Sequence, residues 1–257
     1  MKRTQRIASW LILCLSCFCS SAYATIRVGT VVFDPPYVFT LNQGFEVDLI
    51  KLLCHQMNQP CTLIPMTYDD LFIALQENLI DVAVDGIDFY LPPNPLNGGY
   101  IFSYPYLLSK AQFLTLQSNK INSVADLPQG SSVGLIQERI NSTLGIYYHF
   151  FTSTYGSRFK ITLFHDLDTL IGALSDGQLT AAFVDVQEGN YWAQNGNKEF
   201  KLLDSPMKVG DGIGIMSLQK NKSIIDAFDQ QLKHIETNQD FIKLYNTYFG
   251  ILPPSPH

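Results

Sequence analysis

The chain has 257 residues, 17 Lys and Arg against 23 Asp and Glu, and 46% apolar residues. Its formal charge of −6 speaks against a nucleic-acid partner, because phosphate backbones are held by clustered Lys and Arg. Its apolar content is that of a chain that folds around a core.

The first 24 residues read as an export signal. Lys2, Arg3 and Arg6 form a charged start, Trp10 to Phe18 an apolar stretch, and Ala22-Tyr23-Ala24 an A-x-A cleavage site before Thr25. The apolar stretch is shorter than the ~20 residues a membrane span needs, and no later stretch approaches that length. A lipid anchor at Cys17 is the other way to read this region, but Cys14-Leu15-Ser16 suits a lipidation site poorly. Cleavage after Ala24 would leave about 233 residues, enough for one large domain or two modest ones. It would also leave 14 Lys and Arg against 23 acids, a charge of −9, and three arginines: Arg27, Arg139 and Arg158. Of the five cysteines, only Cys54 and Cys61 would remain. An even pair in an oxidising compartment argues for a disulfide. A metal site is the rival reading, but His55 is the only ligand-type neighbour, and no metal or other cofactor is expected.

Ile26 to Phe33 alternates and is rich in β-branched residues, so it predicts a first strand, ended by Pro35-Pro36. Phe45, Leu49, Ile50, Leu53, Cys54 and Met57 have the spacing of an amphipathic helix over 45–57. A strand over 61–66, a helix over 68–76 and a strand over 80–84 follow. Strand, helix, strand, helix, strand is the signature of a parallel sheet with crossover helices. The period then restarts. Strands are expected over 112–116, 132–136, 160–164 and 181–184, with a helical turn at 124–127. Helices are expected over 141–150, 166–174 and 187–193. A strand over 212–218 and helices over 223–235 and 240–249 bring the chain back, before a Pro-rich tail from Leu252. Two α/β halves with a returning segment suggest two lobes joined by two crossings, at 106–111 and 208–212. A cleft between lobes favours a small-molecule site.

The stretch Asp81 to Tyr90 is central to that expectation. It begins as a buried strand and breaks at Gly86 between Asp85 and Asp88. In open α/β sheets ligands are met beyond the carboxyl ends of the strands. The plainer alternative is an acidic, solvated turn.

Several motifs then resemble the periplasmic solute-binding proteins of amino-acid ABC importers. Pro35-Pro36-Tyr37-Val38-Phe39 is similar to that family's "PPF/Y-x-F" turn, and Gly44-Phe45-Glu46-Val47-Asp48-Leu49 to its "GFdvDL" helix start. Phe102-Ser103-Tyr104-Pro105-Tyr106 resembles "FSdPY", Val184-Asp185 ends the "aLlnGrvDAvvvD" pattern, and Tyr248-Phe249-Gly250 resembles the terminal "iYnkwFG". Each fragment is weak alone; their order and spacing across the whole mature chain are strong. The resemblance implies an α/β fold of the type II two-lobed periplasmic kind, each lobe a mainly parallel sheet flanked by helices. The expected division is a signal peptide over 1–24, one lobe over 25–108 completed by 211–257, and the other lobe over 109–210. It further implies a periplasmic, monomeric binding protein, a small-molecule ligand, hinge closure, a membrane ABC permease as partner, and no catalysis. The Cys54–Cys61 spacing is similar to that of lysine/arginine/ornithine and histidine binders, which carry a disulfide there.

Carried over, the loop that meets the ligand's α-ammonium falls on Asp85, Gly86 and Asp88, and the acid that pairs with it falls on Asp185. Asp185 also suits a helix N-cap before Gln187-Glu188, and the two uses are compatible. The family's carboxylate-clamping arginine falls near Pro93, and no Lys or Arg lies between Lys51 and Lys110. Arg139, in the turn Glu138-Arg139-Ile140 of the second lobe, is the expected replacement, because a planar guanidinium matches a carboxylate with two parallel bonds. A solvated Arg139 paired with Glu138 is the bland alternative. Asp34 falls near the ligand's side-chain end, where Phe33 and Tyr37 are candidate aromatic cover. Four aspartates in one cleft call for a cation, which points to arginine, lysine, ornithine or a relative. A polyamine lacking a carboxylate, an enzyme of the cyclohexadienyl dehydratase type, and a sensory role are the other readings.

Overall fold

A computed structural model describes residues 24–92, 94–137, 139–140 and 143–250, and of 139, 140, 143 and 144 the backbone only. Residues 1–23 of the expected export signal, with Cys17 among them, and Pro93, Glu138, 141–142 and the tail from 251 lie outside the described residues.

The first unit runs β1 (Ile26–Thr30), α1 (Phe45–Gln56), β2 (Cys61–Pro65), α2 (Tyr68–Gln76), β3 (Val82–Ala83), β4 (Asp88–Phe89) and β5 (Tyr100–Phe102). The first strand stops at Thr30, short of the expected Phe33. The ladder ends where Met66 N–H reaches Thr30 O, and the chain then turns so that Asp34 and Val38 exchange backbone bonds. The second unit runs β6 (Lys110–Leu116), β7 (Ser132–Ile136), β8 (Arg139–Ile140), β9 (Thr143–Leu144), α3 (Ile146–Tyr155), β10 (Lys160–Phe164), α4 (Leu167–Ser175), β11 (Ala181–Asp185), α5 (Val186–Asn195) and β12 (Phe200–Lys208). The chain returns through β13 (Gly212–Ile213), β14 (Met216–Leu218), α6 (Lys222–Thr237) and α7 (Asp240–Phe249).

Other elements differ from expectation too, and the short strands β4 and β5 were not expected. The helix over 141–150 begins only at Ile146, because an antiparallel β8–β9 hairpin occupies the preceding residues. The nine-residue β12 had no expectation at all. It is an edge strand bulged between Leu203 and Met207, which breaks its alternation. The strand over 212–218 is split, with β13 pairing to β4 and β14 to β3 and β5.

Two five-stranded sheets result, ordered β2-β1-β3-β14-β5 and β10-β7-β11-β6-β12. In each, three parallel strands are followed by one that runs against them and by an edge strand antiparallel to that one. The central parallel strand is flanked by strands that come later in sequence, so each sheet has a switch point where its crossover helices leave on opposite faces. Each lobe carries its own core: Phe45, Leu49, Leu53 and Phe228 pack in one, and Phe113, Phe151 and Phe183 in the other.

Two chain crossings join the lobes, before β6 and after β12. They are bonded to each other. Leu107 bridges Ile213, Gly210 N–H donates to Ser109 Oγ at 2.6 Å, and Ile215 N–H donates to Ser103 Oγ at 2.9 Å. α6 and α7 close the first lobe, where Phe249 packs on Phe45 with ring centroids 4.6 Å apart. The Cys54–Cys61 disulfide ties the end of α1 to the start of β2. Among the described residues, no helix is long and apolar enough to cross a membrane.

Candidate ligand-binding cleft

The strands of both lobes point their carboxyl ends at a shared cleft. The segment after β1 supplies Phe33 and Asp34, and the loop after β3 supplies Asp85, Gly86 and Asp88. The end of β11 supplies Asp185, and Glu188 follows one turn into α5. These residues enclose a cavity of about 60 Å³ together with Tyr68, Tyr147 and Phe183.

The lobes touch across this cavity. Tyr37 Oη donates to Asp185 Oδ1 at 2.7 Å, Phe39 meets Tyr191 edge-on at 5.5 Å, and His165 Nδ1 lies 3.1 Å from Asp69 Oδ2. Tyr37 itself does not line the cavity. Its ring is fully buried behind Gly86, with an edge toward Phe249, so the cover expected from it falls to Phe33, which is 40% exposed.

Gly86 is required at its position for two reasons. Its φ of +59° is left-handed, and a Cβ there would sit 2.7 Å from Tyr37 Cε2. Its N–H donates to both carboxylate oxygens of Glu46, at 3.0 Å each. Glu46 also accepts the hydroxyl of Tyr106, which lies in the first crossing. One fully buried acid thus ties α1, the β3–β4 loop and the crossing together. Burial pushes its carboxyl up to about 7, against the opposing bonds from Tyr106 and Gly86.

Asp185 caps α5: its Oδ1 accepts Gln187 N–H at 2.7 Å, while Glu188 Oε2 accepts Asp185 N–H at 3.2 Å. Burial raises the Asp185 carboxyl to about 6, against the bonds from Tyr37 and the helix start. Burial also pushes Asp34, Asp85 and Glu188 well above the carboxylate range, and their mutual repulsion adds to the effect. Asp34 and Asp85 from one lobe and Glu188 from the other line the same cavity. Asp34 Oδ1, Asp85 Oδ1 and Asp185 Oδ2 are buried without a hydrogen-bond partner. No Lys or Arg side chain lines the cavity among the described residues.

Of the three arginines beyond residue 24, two have structural work elsewhere. Arg27 pairs with Asp81 at 2.7 Å, and Arg158 donates to the carbonyls of Val124, Ala125 and Leu127. Arg139 begins β8, whose backbone lies against α2 of the opposite lobe, and its side chain lies outside the described residues. Glu46 and Glu188 were not singled out from the sequence. Both occupy quoted motifs, the "GFdvDL" helix start and the capping sequence after Asp185, so their presence was visible and their burial was not.

A family model for bacterial extracellular solute-binding proteins, family 3, matches residues 26–251. The chain belongs to that family. An arginine-binding periplasmic protein of Mannheimia haemolytica is 25% identical over 226 residues, covering 84% of this chain and 87% of the relative. The lysine/arginine/ornithine-binding periplasmic protein of Escherichia coli is 24% identical over 246 residues, covering 90% and 91%. Among solved structures, an arginine transport periplasmic binding protein from Legionella pneumophila superposes with a TM-score of 0.78 at 24% identity, covering 88% of this chain and 99% of that one. For this family-3 protein the two-lobed fold directs attention to solute capture in the cleft.

Proposed function

We propose that the protein is the periplasmic substrate-binding component of an ABC importer and captures a cationic amino acid by closing its two lobes. The lobes comprise 25–108 with 211–257, and 109–210, and they hinge at the two crossings. The monomeric closed complex delivers its ligand to a membrane permease, and no covalent chemistry is involved. Export after cleavage at Ala24 puts the protein where that encounter occurs.

The observation that carries this reading is the set of buried carboxylates around one cavity. Asp34, Asp85, Asp185 and Glu188 come from both lobes, with Asp88 beside them. Burying so many acids is costly unless a cation answers them. A ligand with an α-ammonium and a charged side chain does so at two points. The carboxylate of that ligand is met by Arg139, a reading supported by the packing of β8 against α2, the helix that contributes Tyr68 to the cavity.

Isothermal titration calorimetry with arginine, lysine, ornithine, histidine, glutamine and putrescine tests the reading. The cationic amino acids bind and glutamine does not. Glutamine bound more tightly than arginine would refute it. Putrescine bound more tightly than any amino acid would favour the polyamine reading instead, which draws support from the lack of a Lys or Arg among the described lining residues. Arg139→Ala weakens amino-acid capture about 10–100-fold, the loss of a charge-assisted bond, and leaves putrescine unaffected.

A further inference from the structure

Phe39 and Tyr248 belong to two sequence motifs, Pro35-Pro36-Tyr37-Val38-Phe39 and Tyr248-Phe249-Gly250, and the cleft gives neither ring a role. The fold brings them together, with the rings stacked at 6.2 Å and 26°. Tyr248 Oη donates to Asp48 and accepts Gly44 N–H at 3.3 Å, so this ring is fixed at the end of α7. The backbone of Phe39 is fixed as well, since its N–H donates to Gln43 O at 2.9 Å. From that backing Phe39 meets Tyr191 of the opposite lobe, centroids 5.5 Å apart and planes at 68°. Tyr191 is backed in turn by Trp192, at 5.5 Å and 85°. Edge-to-face rings at this spacing are in a favoured geometry.

Neither Phe39 nor Tyr191 lines the cavity. Their contact lies alongside the one that Tyr37 makes to Asp185. Tyr37 and Phe39 are two residues apart, at most about 7 Å along the chain. Asp185 and Tyr191 are six apart, from the cap to the middle of α5, about 9 Å along its axis. The first lobe therefore touches α5 at two heights, once with a polar group and once with an apolar ring. A single contact leaves the angle between the lobes free, whereas two separated ones fix it. The other contact between the lobes, His165 to Asp69, has its imidazole 66% exposed, where ion pairs contribute little.

We propose that Phe39 and Tyr191 are positioning residues for capture: they form a latch outside the cavity that stabilises the closed lobes by the same factor whatever ligand is held. This rests on the two-lobed capture reading above and not on the charge of the ligand. Apparent affinity combines a ligand's own contacts with the closing equilibrium of the lobes, so a latch acting on closure sets strength without selectivity. Tyr248 acts through Phe39, which gives α7 a part in capture although none of its residues lines the cavity.

The test is a double-variant cycle of Phe39→Leu and Tyr191→Ala in the full mature protein, with arginine, lysine, glutamine and putrescine as probes. Leu keeps apolar bulk against Tyr248 and Ala is a good helix former, so the ligand-free variants melt within about 4 °C of the wild type. Calorimetry gives the affinities. Each single variant weakens every probe that the wild type binds by one common factor, about 2–10-fold, the scale of one aromatic pair. The double variant is no weaker than the weaker single one, because the two rings act on each other. A contact that only supports the fold would instead couple in urea unfolding of the ligand-free protein and leave the affinities alone. Unchanged affinity in both single variants overturns the latch, as do losses that differ more than about tenfold between probes or that add up in the double variant. Glutamine bound in place of the cations refutes the cationic reading and still measures the latch. A wild type that takes none of the four overturns the capture reading, and the latch with it. Should Phe39→Leu fail to fold, Tyr191→Ala alone is read for the size and the uniformity of the loss.

Discussion

Tyr37 and Asp185 join the two lobes through one buried hydrogen bond, phenol hydroxyl to Oδ1, at 2.7 Å. The same Oδ1 accepts Gln187 N–H, so Asp185 is fixed to its own helix before it reaches across. Tyr37 is fixed in turn by the close approach of Gly86 to its ring and by an edge-type contact with Phe249 at 6.3 Å. Closure therefore requires two side chains already held in place, which lowers the entropy lost in making the bond.

Tyr37→Phe removes the hydroxyl and keeps the ring. The first lobe still packs, so the melting temperature of the ligand-free protein changes little. Ligand affinity falls about 10-fold, the scale of a hydrogen bond to a charged group. Unchanged affinity in calorimetry would show that the bond has no part in the closed complex.

Glu46 is a different kind of acid. It is fully buried, is engaged by Gly86 N–H and the Tyr106 hydroxyl, and does not line the cavity. Glu46→Ala strands two buried donors and costs about 2–6 kcal/mol, at ~1–3 kcal/mol for each. Glu46→Gln retains one acceptor and costs less. Urea unfolding measures both, and the order Ala worse than Gln is the point at issue.

How much of this was legible in the sequence differs by element. The helix over 68–76 and the strands at 132–136 and 160–164 have the bounds their periodicity predicts, because local pattern and burial agree there. Asp185 was legible as a cap because capping is local. Glu46 and Glu188 were not legible as buried acids. Each is an ordinary helix-start residue on sequence grounds, and its environment is made by partners 40 to 154 positions away, such as Gly86 and Asp34. The β8–β9 hairpin was missed because Ile140 and Leu144 also fit a helical spacing, and only pairing distinguishes the two.

The disulfide lies away from the cleft, since Cys54 ends α1 and Cys61 starts β2, at the amino end of the strand. A loop of sequence separation 7 gives about 2–3 kcal/mol by chain-entropy reasoning. Replacing both cysteines by alanine lowers the melting temperature by about 4–12 °C, at ~2–4 °C per kcal/mol for a chain of this size. Ligand affinity stays within about twofold. A large affinity loss in the double variant would mean that the cleft is sensitive to strain at the far end of the sheet.

The buried acids also set a pH dependence of stability with a definite sign. Burial raises Glu46 to about 7 and Asp185 to about 6, and raises Asp34, Asp85 and Glu188 as well. Between the ordinary carboxylate range and these raised values, the folded protein binds protons that the unfolded chain has released. Stability therefore falls as pH rises through that window, and is fully present below it. Asp81 has the opposite sign: its bonds from Arg27 outweigh the upward push of burial, so its contribution is lost only on acidification below about 4. The ligand-free protein thus melts higher near pH 5 than near pH 8. Saturating arginine reverses the trend by neutralising the same acids, so its stabilising shift is larger at pH 8 than at pH 5. Melting curves across that range with and without arginine measure both, and a ligand-free protein that gains stability steadily from pH 5 to pH 8 would contradict the uncompensated burial of these carboxyls.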